Sequence, residues 1–147
     1  MDENRIKKET GEDFFLDFFN SDVVFNTIKR ADYMMLRTIQ SRAGQRGKPG
    51  RTYLADLAAA LELPIPTLSK TIERLQDKGL VTWKTDRAAG QTYVRLTSKA
   101  VELMDDERRR MTAAFRRVRE EIDEGTLAIC IETARKVTEI LRQTRES

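Results

Sequence analysis

Histidine is absent and cysteine occurs once, at Cys130, in a chain of 147 residues. With no imidazole and a single thiol, no zinc finger, Cys/His cluster or His-centred catalytic relay can be assembled, and no metal is expected. One cysteine also excludes an intramolecular disulfide framework, which points to a reducing, cytoplasmic setting. Long apolar runs are missing too. The longest are a few residues, against the roughly 20 that cross a bilayer, so no membrane partner is expected. The opening MDENRIKKETGED is too polar for a signal peptide. Phosphate loops of the G-x-x-x-x-G-K-[ST] type, dinucleotide turns and nucleophile elbows do not occur. No nucleophile can be paired with an acid/base partner, so neither an enzyme nor a cofactor is expected.

What is present is charge and enough apolar residues for a core. Charged residues make up 35% of the chain and apolar residues 39%, which suits one small domain or a small domain with a helical extension. The net charge of +3 is unevenly placed. From Arg42 to Lys99 there are 11 bases and 5 acids, a local balance of +6, while the remainder of the chain is at −3. A basic centre between acidic ends fits a nucleic-acid-binding module. Ordinary surface scatter gives the same balance, so the architecture has to decide.

Residues 1–30 read as a polar arm followed by a greasy helical stretch. Five of the six phenylalanines (Phe14, Phe15, Phe18, Phe19 and Phe25) lie there, and such a helix must be buried against another element or another chain. Residues 31–97 carry the pattern of a binding domain. Asp32 is placed to cap a helix running to Arg42. Ala43 to Arg51 is a loop with three glycines, one proline and three bases. Thr52 is placed to cap a second helix, whose Leu54, Leu57, Ala58 and Leu61 follow the 3.6 period and which stops at Leu63-Pro64. A third helix spans about Ile65 to Lys78, with Pro66 in its tolerant first turn and Gly79 as its left-handed end. Leu80 to Lys84 and Gln91 to Leu96 read as two strands joined by a tight turn. Residues 98–147 read as two helices, the first capped by Thr97 and broken at Asp123-Glu124-Gly125. Cys130, after Leu127-Ala128-Ile129, reads as a small buried hydrophobe rather than a redox switch.

Helix, turn, helix, glycine end, strand, turn, strand is the order of a winged helix-turn-helix. The expected fold is therefore mainly α, with a two-stranded β-wing and with N- and C-terminal helices for dimerisation. Its second helix can lie in the ~12 Å major groove of double-stranded DNA. At about 100° per residue, Ile72 and Leu75 stay within about 40° of Leu68, so these three face the core together with Leu57 and Leu61. Pro66, Thr67, Lys70, Glu73 and Arg74 lie about 100–180° away, with Ser69 on the border. Lys70 and Arg74 can donate to guanine edges or phosphates, Thr67 and Ser69 can donate or accept, and Pro66 can touch a thymine methyl. In the wing, from Lys84 to Gln91, Arg87 is placed for a minor groove or phosphates, and Asp86 shapes the turn. Arg51 and Thr52, at an expected helix N-terminus, form a phosphate seat. Arg46 and Lys48 in the loop add sequence-independent attraction or are simply solvated. The expected DNA-binding set is thus Arg51, Thr52, Pro66, Thr67, Ser69, Lys70, Arg74, Lys84, Arg87 and Gln91.

The residues Leu54-Ala55-Asp56-Leu57-Ala58, Thr67-Leu68-Ser69-Lys70, Ile72, Arg74-Leu75, Lys78-Gly79-Leu80-Val81 and Leu96-Thr97 resemble the MarR family of bacterial transcription regulators. The resemblance runs from about Ala31 to Gln143. It implies a homodimer whose terminal helices form the interface, two winged domains reading a palindromic operator, and regulation, as a repressor, that a small effector could modulate. A ligand pocket would fall near Phe25, Tyr33, Met34, Arg37 and Phe115, although these side chains read first as core. The wing departs from the family pattern, being short, with Asp86-Arg87 earlier than usual and Ala88-Ala89-Gly90 where more charge is common; so do Glu62, which stands where Gly is common, and Pro66, which replaces a Ser or Thr donor. The competing reading is a winged-helix module that joins proteins without reading bases. Duplex binding with a steep salt dependence separates the two.

Overall fold

The computed structural model describes Phe25 and residues 27–146. The element order is α1 (Arg30–Arg42), β1 (Thr52–Tyr53), α2 (Leu54–Leu61), α3 (Ile65–Asp77), β2 (Val81–Asp86), β3 (Gln91–Leu96), α4 (Ser98–Glu121) and α5 (Glu124–Glu146). The greasy stretch expected to form an N-terminal helix lies, apart from its last residues, outside the described residues. The chain divides into two units between Glu107 and Arg108, within α4. The first spans residues 26–107; the second, among the described residues, holds Phe25 and residues 108–146.

The first unit is built on the apolar stripes seen in the sequence. Leu36 and Ile39 of α1, Leu57 of α2, and Leu68, Ile72 and Leu75 of α3 are fully buried, together with Val81 and Val94 of the sheet. Leu61, expected in this core, is only half-buried. The sheet has three antiparallel strands in the order β1-β3-β2, not the two expected. Thr52 and Tyr53 pair with Val94 and Tyr93. The hairpin runs in register from Val81 opposite Leu96 to Asp86 opposite Gln91. β1 escapes a sequence reading because two residues cannot express a period of two.

Local chemistry sets the helix ends. Helix α3 ends in a Schellman arrangement: Leu80 N–H donates to the Leu75 carbonyl at 3.0 Å and Gly79 N–H to the Gln76 carbonyl at 2.9 Å. Gly79 adopts the left-handed conformation this needs, with φ +75°. Helix α2 ends earlier than the proline rule predicts, because Glu62 itself turns left-handed at φ 54°. Glycine is common at this position in the family that the sequence resembles. Thr97 caps α4 as expected, accepting the Ala100 N–H at 3.2 Å. Asp123 does more than break the helix: its carboxylate accepts the Thr126 N–H at 3.1 Å and starts α5. At the end of the first unit the buried carboxylate of Glu107 accepts both the N–H and the hydroxyl of Thr27, at 2.9 and 2.8 Å.

Three expectations are corrected. Asp32 is not an N-cap; α1 begins at Arg30 and Asp32 lies inside its first turn, buried. Thr52 caps no helix; it sits in β1, buried, donating its hydroxyl to the Ile39 carbonyl at 2.7 Å. Cys130 is exposed, not buried. In the second unit α5 leaves Ile129, Val137, Ile140 and Leu141 exposed, at 67%, 48%, 60% and 64%. They fall within a stripe about 120° wide on a helical projection.

Candidate nucleic-acid interface

Helix α3 presents two unlike sides. Its inner side is fully closed off by Leu68, Ile72 and Leu75. On the outer side Pro66, Thr67, Lys70, Glu73 and Arg74 are exposed, and Ser69 is half-buried at the edge. The projection read from the sequence thus matches the observed burial residue by residue. Lys70 carries no ion pair among the described residues, so its ammonium is available to a phosphate or a base edge.

Arg74 and Lys78 are differently placed. Both reach across to Asp32 on α1. Arg74 grips it with two nitrogens, at 2.7 and 2.9 Å, and Lys78 Nζ lies 2.9 Å from Oδ2. The carboxylate side chain is only 2% exposed, whereas Arg74 is 47% and Lys78 44% exposed. Burial by itself would raise the Asp32 pKa. Hydrogen bonds from Arg74 and Lys78, with their positive charges, outweigh burial and hold it below the usual carboxylate value. Pulling one partner off a buried carboxylate costs about 3–5 kcal/mol when both partners are buried. Solvent on the outer side of Arg74 reduces that figure. Lys78 also stays bonded to the carboxylate when Arg74 leaves, which lowers it further. In this structure the Arg74 guanidinium is engaged by Asp32 through two of its nitrogens.

The sequence did carry a signal for this clasp. Asp32 precedes Leu36 by four residues and Ile39 by seven, which puts it on the buried stripe of α1. An acid on a buried stripe requires a partner. Which partner it finds, 42 and 46 positions away, has no local signature.

The wing is a hairpin closed by Arg87-Ala88-Ala89-Gly90. Asp86 shapes the turn, as expected, by accepting the Ala89 N–H at 3.2 Å. It also accepts the Tyr53 hydroxyl at 3.0 Å and pairs with Arg51 at 3.2 Å. Hydrogen bonds from Ala89 N–H and the Tyr53 hydroxyl lead in keeping its pKa below the usual carboxylate value. Lys84 and Arg87 project into solvent and carry no ion pair among the described residues.

Beside the hairpin lies a layered cluster not anticipated from the sequence. Tyr53 and Tyr93 pack at 5.8 Å between ring centres. Arg46 lies 4.5 Å over Tyr53, and Arg51 4.2 Å over Tyr93. Arg46 also grips Asp56, with two contacts at 2.7 Å, and donates to the half-buried Gln91. The glycine-rich loop is thus pinned to the sheet at Arg46 and Arg51, while Lys48 stays exposed. Arg51 and Thr52 precede the N-cap Tyr53 of α2 rather than capping it; Thr52 is buried and Arg51 is paired with Asp86.

The residues expected near a ligand are distributed over both units. Tyr33 is core, and Met34 and Arg37 are half-buried on α1, in the first unit. Phe25 and Phe115 belong to the second unit, where Phe115 lies 5.8 Å from the Arg119 guanidinium. A cleft of about 280 Å³ in the second unit is lined by Arg116, Arg119, Glu120, Ile122, Glu124 and Leu127, none of them among those five. Among the described residues no group of acids and cysteine could hold a metal ion. No described helix is long and apolar enough to cross a membrane.

A helix pair with a closed inner side, followed by a projecting hairpin that forms a three-stranded sheet with the short strand before the pair, defines a winged helix-turn-helix. Solved structures show which winged helices it is like. The oxidised form of MarR from E. coli matches over 92% of this chain and 93% of its own, with a TM-score of 0.61 and 16% identity. AbsC, a MarR family transcriptional regulator from Streptomyces coelicolor, matches over 95% and 87%, with a TM-score of 0.58 and 21% identity. A cysteine-to-serine mutant of E. coli MarR complexed with operator DNA matches over 91% of both chains, with a TM-score of 0.59 and 16% identity. At such identities the likeness is one of fold: the chain has the winged-helix fold of these MarR family regulators, as the resemblance read from its sequence implied. No protein-family sequence model matches the chain, and no curated protein does.

Proposed function

We propose that this protein is a DNA-binding transcription regulator of the MarR type. It reads a palindromic operator in the cytoplasm as a homodimer and represses by covering that site. One observation carries the reading. The outer side of α3 combines Lys70, which has no ion pair among the described residues, the hydroxyl of Thr67 and the rigid ring of Pro66 on a helix whose other side is closed by core. Lys84 and Arg87 of the wing extend the same chemistry beside it. The likeness to a MarR structure complexed with operator DNA supports the assignment. Pairing of two copies is supported by the uncovered apolar stripe of α5.

Titration of a selected duplex tests this. Binding should weaken steeply with salt, and Lys70→Ala should cost about 1–3 kcal/mol and relax base preference at one position of each half-site. A flat salt response, with no effect of Lys70→Ala, would favour a protein-joining module instead.

A further inference from the structure

Helix α3 carries three cations at spacings of four, Lys70, Arg74 and Lys78, which on an isolated helix would form one continuous basic stripe. Asp32 divides it. The last two cations converge on its buried carboxylate, at 2.7–2.9 Å. The only acids of α3 and its C-cap, Glu73 and Asp77, also lie in this second half, and both are exposed. The half from Ile72 to Lys78, counted with Asp32, therefore holds three acids against two cations. The half from Ile65 to Thr71 holds Lys70 and no acid. A phosphate or base edge meets attraction at one end of the helix and none at the other.

We propose that Asp32 is a positioning residue that sets what this helix can read: by drawing Arg74 and Lys78 back against α1, it confines base recognition to the stretch from Pro66 to Lys70. This rests on the DNA-binding reading above. The stretch rises about 6 Å at 1.5 Å per residue, so it faces two or three base pairs. Each half-site should carry a short run of strongly specified positions, with phosphate contacts outside it. Removing the Asp32 charge returns a cation to the surface without altering the reading stretch. Such a protein binds all duplexes more tightly and distinguishes them less well.

The test compares the full chain with Asp32→Asn, Arg74→Gln and Lys70→Gln on a selected duplex and on a scrambled one, across a series of salt concentrations. Asp32→Asn should steepen the slope of log affinity against log salt by about one. It should also lower the preference for the selected duplex several-fold, the scrambled duplex gaining most. Lys70→Gln should flatten the slope by about one and reduce the preference about tenfold or more. Arg74→Gln should leave the slope unchanged and alter the preference less than about threefold. A loss of preference in Arg74→Gln equal to that in Lys70→Gln overturns the proposal, as does a well-folded Asp32→Asn with an unaltered slope. Should Asp32→Asn fail to fold, the Arg74→Gln arm alone decides. Wild-type protein that prefers no duplex overturns the DNA-binding reading itself, and this proposal with it.

Discussion

At the scale of single residues, Asp32 shows how much a buried charge can decide. Its carboxyl is held ionised below the ordinary carboxylate range, so its stabilising contribution is complete above the unfolded value of about 3.9. That contribution disappears as pH falls through the lower folded value. Asp32→Asn should therefore destabilise the fold by about 1–3 kcal/mol at pH 7, the exposure of both cations reducing the figure for a buried pair. The gap should narrow as pH drops below about 3.9; urea unfolding of both proteins at pH 7 and near pH 3 measures it. Glu62 makes a second case. A left-handed backbone costs an L-residue about 1–2 kcal/mol, and glycine recovers most of that at some entropic expense. Glu62→Gly should raise stability by roughly 0.5–1 kcal/mol, seen as a higher urea midpoint with an unchanged slope. Both positions were partly legible. Asp32 stands on a buried stripe, and Glu62 fills the place of an expected glycine, but neither the partners nor the dihedral angle follow from local pattern.

At the scale of elements, what could be read is what repeats. Leu68, Ile72 and Leu75 mark the inner side of α3 by period alone, and the left-handed Gly79 marks its end. Strand β3 was placed from Gln91 to Leu96 by sequence and by structure alike. What could not be read is what depends on distant partners. Alternation along a strand places Tyr93 and Val94 on opposite faces of β3, yet the structure buries both, with Tyr53 and the Arg51 guanidinium packed against Tyr93. The loop from Ala43 to Arg51 has a linker's composition, yet Arg46 locks it to Asp56 and Gln91. Arginine stacked on tyrosine has no fixed spacing along the chain, and composition alone cannot tell a solvated cation from a seated one.

At the scale of the whole molecule, the proposed pairing of two copies has one candidate surface among the described residues of α5. Helix α5 leaves Ile129 and Ile140 about 60–67% exposed, eleven residues and three turns apart on one side of the helix. Charges placed there should oppose pairing: Ile129→Glu with Ile140→Glu should shift the protein from dimer to monomer in sedimentation equilibrium at micromolar concentration. A mass unchanged by both substitutions would place the pairing surface elsewhere.

The most direct measurement is selection of bound sequences from random duplexes at about 0.15 M salt. Two recognition helices related by a two-fold axis should enrich an inverted repeat with half-sites centred about 34 Å apart, or one helical turn. Within each half-site only two or three neighbouring base pairs should be strongly specified. Enrichment of no repeat, from protein that is dimeric in solution, would contradict the account.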